Sequence, residues 1–130
     1  MSLDALAQYL QEIESAIGNL DQAYVERYEE EHLPSERLNL RIRIRFESGH
    51  LLELNEAVLA ELDSIRHLGY RYHFQDESNQ LVFRYDNTPH FPELPLFPNH
   101  KHLRDTIVSV NKPAVQLVID EAMENVKSAR

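Results

Sequence analysis

The chain has no cysteine, no tryptophan and only three glycines among its 130 residues. Without cysteine there is no disulfide, no thiolate nucleophile and no thiolate metal site. Imidazole, carboxylate, hydroxyl and guanidinium groups must carry any chemistry, and a reducing cytoplasm is the expected setting. No apolar run approaches the ~20 residues needed to span a bilayer, and no basic stretch followed by an apolar one opens the chain, so neither a membrane segment nor a signal peptide is expected. Positive charge is scarce as well. Thirteen Lys and Arg face 22 Asp and Glu, a net charge of −9, which argues against a general nucleic-acid coat because phosphate binding needs clustered cations. At this length one domain spanning 1–130 is expected. It would bury roughly two thirds of its unfolded surface and need no metal or disulfide to fold.

The charge is unevenly placed. Residues 1–36 hold nine acidic residues and one basic, whereas 37–104 hold nine of each, so the second region is the one able to tolerate an anionic substrate. Its cations are almost all arginine, which suits bidentate contact with carboxylate or phosphate. Pairing with the acidic N-terminal third is the other use open to them.

Leu3, Leu6, Leu10, Ile13, Ile17 and Leu20 recur at helical spacing, which predicts an amphipathic helix with Ser2 as its cap and Gly18-Asn19 as its stop. AYVERYEEE, with Tyr24, Val25 and Tyr28, is read as a strand. Leu38, Leu40, Ile42, Ile44 and Phe46 then alternate with Asn39, Arg41, Arg43 and Arg45; this is a half-buried strand with an exposed basic row. Ser48-Gly49 turns the chain into an antiparallel partner carrying Leu52 and Leu54. Residues 57–67 fit a short helix or a continued strand equally well.

Tyr70, Tyr72 and Phe74 alternate with Arg71 and His73, and after the turn at 76–79 the segment LVFRYD puts Leu81, Phe83 and Tyr85 on one face. If the aromatic sets face the core, Arg71, His73, Arg84 and Asp86 share the opposite face. Val115, Val118, Ile119, Ala122 and Val126 mark a C-terminal helix, with Asn111 as its cap and Pro113 in its first turn. The expected fold is α+β: an antiparallel β-meander of about five strands with the N- and C-terminal helices packed on one face.

Residues 87–102 read as a sixteen-residue loop stiffened by Pro89, Pro92, Pro95 and Pro98 and carrying His90, His100 and His102. Loops of this length are more often functional than short ones. In extended form the HKH segment points His100 and His102 to one side and Lys101 to the other. Three readings are open. The cluster can be a structural clasp that pins the loop to the sheet. It can cleave phosphodiesters: one neutral His removes a proton from a ribose 2′-hydroxyl, a protonated His serves the leaving oxygen, and Arg71, Arg84 or Lys101 stabilises the phosphate charge. It can also bind a metal through His100, His102 and either His90 or Asp86. Because HxH is common by chance and no third ligand sits at a telling spacing, no stoichiometric metal and no cofactor are expected. No GxSxG, P-loop, HExxH or GxGxxG is present.

YRYHFQD, LVFRYDN, TPHFPELPLFP and HKH, with YVERYEEE and LRIRIRF upstream, resemble the bacterial TumE-like family over most of the chain. The resemblance implies the toxin component of a type II toxin-antitoxin pair: a small cytoplasmic protein neutralised by a DNA-binding antitoxin encoded beside it. RNA is then the expected substrate and a metal-independent ribonuclease the expected activity. The alternative is a non-enzymatic protein-binding module; a homodimer is compatible with either. Arg84, Asp86, His90, His100 and His102 carry over as motif positions, with no settled role attached. The family commonly has a histidine where this chain has Asn99.

Overall fold

The computed structural model describes residues 4–129. The expected Ser2 cap lies outside them, and the first helix, α1 (Ala5–Gly18), is capped by Asp4, whose Oδ1 accepts from the Ala7 amide at 2.7 Å. A carboxylate there satisfies an amide that the helix itself leaves open. Asn19 ends the helix and returns its side-chain amide to the Ser15 carbonyl.

Seven strands follow: β1 (Ala23–Leu33), β2 (Arg37–Phe46), β3 (Leu51–Ala60), β4 (Ile65–Gln75), β5 (Leu81–Asp86), β6 (His100–His102) and β7 (Ile107–Ser109), before helix α2 (Val115–Ser128). They form one sheet in sequence order, each antiparallel to the next. The meander is thus α+β as expected but two strands longer than the predicted five. The residues read as an irregular loop through 102 end in β6, and β7 follows. Helix α2 also starts later than predicted. Pro113 lies before its N-cap, Ala114, because the helical pattern begins only at Val115.

Alternation sets the faces. Leu38, Leu40, Ile42, Ile44 and Phe46 are at most 2% exposed, while Arg41, Arg43 and Arg45 point away from them. Leu40, Ile42, Ile44 and Phe46 join Leu52, Leu54, Tyr70, Tyr72, Phe74, Phe83 and Tyr85 in one core cluster with Ile13 and Ala16 of α1 and the five predicted residues of α2. Two departures from regular pairing matter. Between Val25 and Arg27 the β1–β2 register shifts, and Glu26, at the shift, reaches both Arg43 and Arg45 at 2.9 and 3.0 Å. Between Glu56 and Val58 the β3–β4 register shifts too. There His67, out of phase with Tyr70 and Tyr72, comes to lie 3.5 Å from the core-side Glu56.

Candidate functional site

Strand pairing assembles the site from residues far apart in sequence. Asp86 stands opposite Arg71 on one side and His100 on the other, and Arg84 stands opposite His73 and His102 in the same way. Directly opposite residues project to the same face. Two transverse rows therefore cross the face away from the core: Arg71, Asp86, His100 and His73, Arg84, His102.

The Pro-rich segment is folded by successive tight turns, in which the Leu94, Phe97 and Asn99 amides donate to the carbonyls of Phe91, Leu94 and Leu96. Its Phe97-Pro98 peptide is cis. The Leu96 amide donates to Ser109 Oγ at 3.0 Å, which ties the segment to β7. At its start Asn87 bridges β4, accepting from the Tyr70 amide and donating to the Leu68 carbonyl. The Phe91 ring packs edge-on against His100 and His102, with centroids 5.1 and 6.0 Å away.

Beneath Phe91 the acidic and imidazole groups converge. His100 Nε2 lies 2.9 Å from Asp86 Oδ1 and 3.1 Å from His102 Nε2, while His102 Nε2 lies 3.5 Å from Asp86 Oδ2. The other His100 nitrogen, Nδ1, is 2.9 Å from the Pro98 carbonyl, and the Thr88 amide donates to Asp86 Oδ1 at 3.0 Å. Asp86 and His100 are buried, at 4% and 1% exposure, whereas the His102 side chain keeps 23% of its surface. Burial pulls the His102 pKa down; Asp86 pulls it upward without prevailing, and the charges of His100, Arg84 and Arg71 add to the lowering. His73 is lowered for the same first reason, burial, and Arg84 and Arg71 push it further. Arg84 Nε donates to His73 Nδ1 at 3.2 Å, and His73 Nε2 lies 2.9 Å from Gln75 Oε1. Burial and the Arg71 charge lower the Arg84 pKa.

Not every residue singled out from the sequence is in this group. Lys101 projects to the core face, where its Nζ donates to Glu121 of α2 at 2.5 Å and lies over the Phe83 and Tyr85 rings. This corrects its reading as a phosphate ligand beside the histidines, and the alternation of HKH is the reason. His90 is exposed and meets Phe91 edge-on. Its ring is not among the donors that converge with Asp86. The Pro98 carbonyl, the Thr88 amide and Phe91 were not foreseen, since each depends on how the loop turns. Asn99 accepts from the Tyr70 hydroxyl at 2.8 Å.

Beside the cluster the same face opens into a cavity of about 350 Å³, whose lining includes Arg41, Asn55, Gly69, Arg71, Asn87 and Thr88. Gly69 is an exposed part of its lining, where a Cβ would meet only Asn87 Oδ1, at 4.0 Å. Arg71 and Thr88 connect this cavity to Asp86. The chain matches the family described as "Toxin TumE" over residues 9–130. No curated protein and no solved structure matches it.

Proposed function

The chain belongs to the TumE toxin family, and from that premise we propose that it is the toxin of a toxin-antitoxin pair and that it cleaves RNA at the Asp86, His100 and His102 centre. The observation that carries this reading is the convergence of those three side chains within hydrogen-bonding reach, one imidazole still open to solvent, next to Arg71 and Arg84 on one sheet face. The 2′-hydroxyl oxygen attacks the adjacent phosphorus and the bond to the 5′-oxygen breaks, leaving a 2′,3′-cyclic phosphate and a free 5′-hydroxyl. The centre takes the proton from the attacking hydroxyl and returns one to the leaving oxygen. Arg71 and Arg84 face the phosphate as its charge rises, and the neighbouring cavity accepts the flanking nucleotide. The same reading has the protein act in the cytoplasm, held neutral there by a DNA-binding antitoxin. The acidic N-terminal third offers that partner a surface for basic side chains.

A clasp and an active site can share these residues, since Asp86 and His100 bind loop backbone while His102 remains reachable. The test is RNA cleavage and growth inhibition by the parent protein and by Arg71→Ala and His102→Ala, with melting temperature measured alongside. Loss of cleavage without loss of stability supports the reading. Variants as active as the parent would reduce the cluster to a clasp.

A further inference from the structure

Asp86, His100 and His102 bring one ligand atom each within 4.8 Å of one another. His100 Nδ1 faces the Pro98 carbonyl, so it must carry a hydrogen; Nε2 faces Asp86 Oδ1 and His102 Nε2 together. In a neutral His100 the Nε2 lone pair then points at a carboxylate oxygen 2.9 Å away. A hydrogen on Nε2 would go to Asp86, with His102 turning a lone pair toward it at 3.1 Å; without that hydrogen, all three residues turn lone pairs toward one another. A cation placed among the three residues is the other way to complete the cluster, because each then offers it a lone pair.

We infer that Asp86, His100 and His102 bind one divalent first-row transition-metal ion of the zinc class. An ion held at ~2.0–2.1 Å by nitrogen and carboxylate donors, with angles between tetrahedral and octahedral, sets those donors about 2.9 to 3.4 Å apart. His100 Nε2 meets that range, at 2.9 Å from Asp86 Oδ1 and 3.1 Å from His102 Nε2; His102 Nε2 is 3.5 Å from the other oxygen, Oδ2, so the partly exposed His102 ring must swing inward to close on one ion. The supporting contacts are those of a ligand set. The Pro98 carbonyl fixes the His100 tautomer and ring, and the Thr88 amide orients the Asp86 carboxylate. Two imidazoles and one carboxylate favour zinc and its neighbours over magnesium or calcium, which prefer all-oxygen sites. Three protein donors, one of them partly exposed, leave a coordination position free, as in catalytic rather than structural sites.

The sequence offered His90 and Asp86 as rival third ligands, with no spacing to choose between them. The third ligand lies fourteen positions upstream of His100 and arrives only through the β5–β6 ladder, which is why HxH alone pointed away from a metal. The ion's use, though not its binding, rests on the RNA-cleaving reading: the ion would supply a hydroxide to take the 2′-hydroxyl proton, which becomes water, or would polarise a phosphoryl oxygen.

The experiment titrates the full chain, stripped with chelator and dialysed, with zinc by calorimetry and with cobalt(II) by visible absorption. One ion per chain is expected, with a cobalt spectrum of nitrogen ligation. Both should be lost in Asp86→Asn and in His102→Ala, by more than the roughly 10- to 100-fold that removal of a supporting hydrogen bond causes, and unchanged in His32→Ala on β1. His102, at the exposed corner, carries the test if the buried Asp86 variant fails to fold. No binding, or equal binding by parent and His102→Ala, overturns the site. RNA cleavage is read in parallel. A bound ion with no cleavage leaves the site standing and removes the RNA reading, while cleavage at full rate by the stripped protein overturns the ion's part in the reaction.

Discussion

Glu56 and Asp86 are both buried carboxylates lying beside histidines, yet their surroundings differ in one respect that decides what each can do. On the core face Glu56 Oε2 accepts from the Tyr9 hydroxyl of α1 and Oε1 from the Tyr72 hydroxyl, with His67 3.5 Å away and Lys112 seated over the Tyr70 and Tyr72 rings. Burial would raise the Glu56 carboxyl, but the His67 and Tyr9 hydrogen bonds and the Lys112 charge hold it below its ordinary range. The same burial, with Glu56 beside them, pushes the Tyr9 and Tyr72 hydroxyls far up, so they remain donors. The two hydroxyls that hydrogen-bond Glu56 directly, those of Tyr9 and Tyr72, both bring it a hydrogen. At Asp86 the Thr88 amide is the one fixed donor; the other partners are two imidazole nitrogens that also face each other, each able to turn a hydrogen or a lone pair toward the carboxylate. Burial of a carboxylate is therefore no mark of function; partners that can exchange a hydrogen for a lone pair are.

Two variants test that contrast. Glu56→Ala strands the Tyr9 and Tyr72 hydroxyls and the Lys112 ammonium, and it should cost about 3 to 5 kcal/mol of stability, as loss of one partner of a buried charged pair does. Denaturant unfolding measures it, and RNA cleavage below the melting temperature should be unchanged. His102→Ala should do the reverse: a loss of about 100-fold or more in cleavage, with stability within about 1 kcal/mol of the parent. A stable Glu56 variant, or a His102 variant that only melts earlier, would break the distinction between a closed network and an open one.

Much of the fold could be read from alternation, and the reasons for the gaps are local. LRIRIRF and LVFRYD are long enough for a period of two to show, and they put Arg84 and Asp86 on the face where they are found. HKH and IVS are three-residue strands, too short for any period, and they join the sheet only because the turns of the Pro-rich segment return them to β5. Residues 57–67 resisted assignment because the shift after Glu56 resets the phase and a turn at 61–64 interrupts the run. Glu56 itself was visible in principle. It follows Leu52 and Leu54 at the same alternation, where a carboxylate signals a buried partner set.

Acid should separate the networks further. The Glu56 pKa is lowered in the fold from its ordinary 4.5, so its contribution is complete above about that pH and drains away as the pH falls through the lower folded value. His73 is also lowered, from 6.5. Its neutral form is the one the fold favours, so as the pH drops below 6.5 the unfolded chain takes the proton first and stability declines until the folded value is passed. Stability measured from pH 7 downward should therefore fall in two stages, with His73→Gln reducing the upper, to which the likewise lowered His102 also contributes, and Glu56→Gln reducing the lower. A single stage unmoved by either variant would mean that neither group is held as described.

The smallest effect is expected at the other end of the sheet, and it sharpens the comparison by asking how far the functional face extends. Glu26 pairs with Arg43 and Arg45, all three a quarter to two fifths exposed at the side chain. Exposed pairs of this kind are worth about 0 to 1 kcal/mol, so Glu26→Ala should barely move the melting temperature. Arg43, however, lies in the transverse row that continues through Glu53, His73 and Arg84 to His102. Freeing its guanidinium and that of Arg45 offers two more cations to a strand of RNA lying along the row. RNA affinity, measured with a cleavage-dead His102→Ala background, should rise. The slope of log affinity against log salt should steepen by about 0.7 for each cation engaged. An unchanged slope would confine the RNA path to β4–β6 and leave the arginines of β2 with the task of setting register against β1.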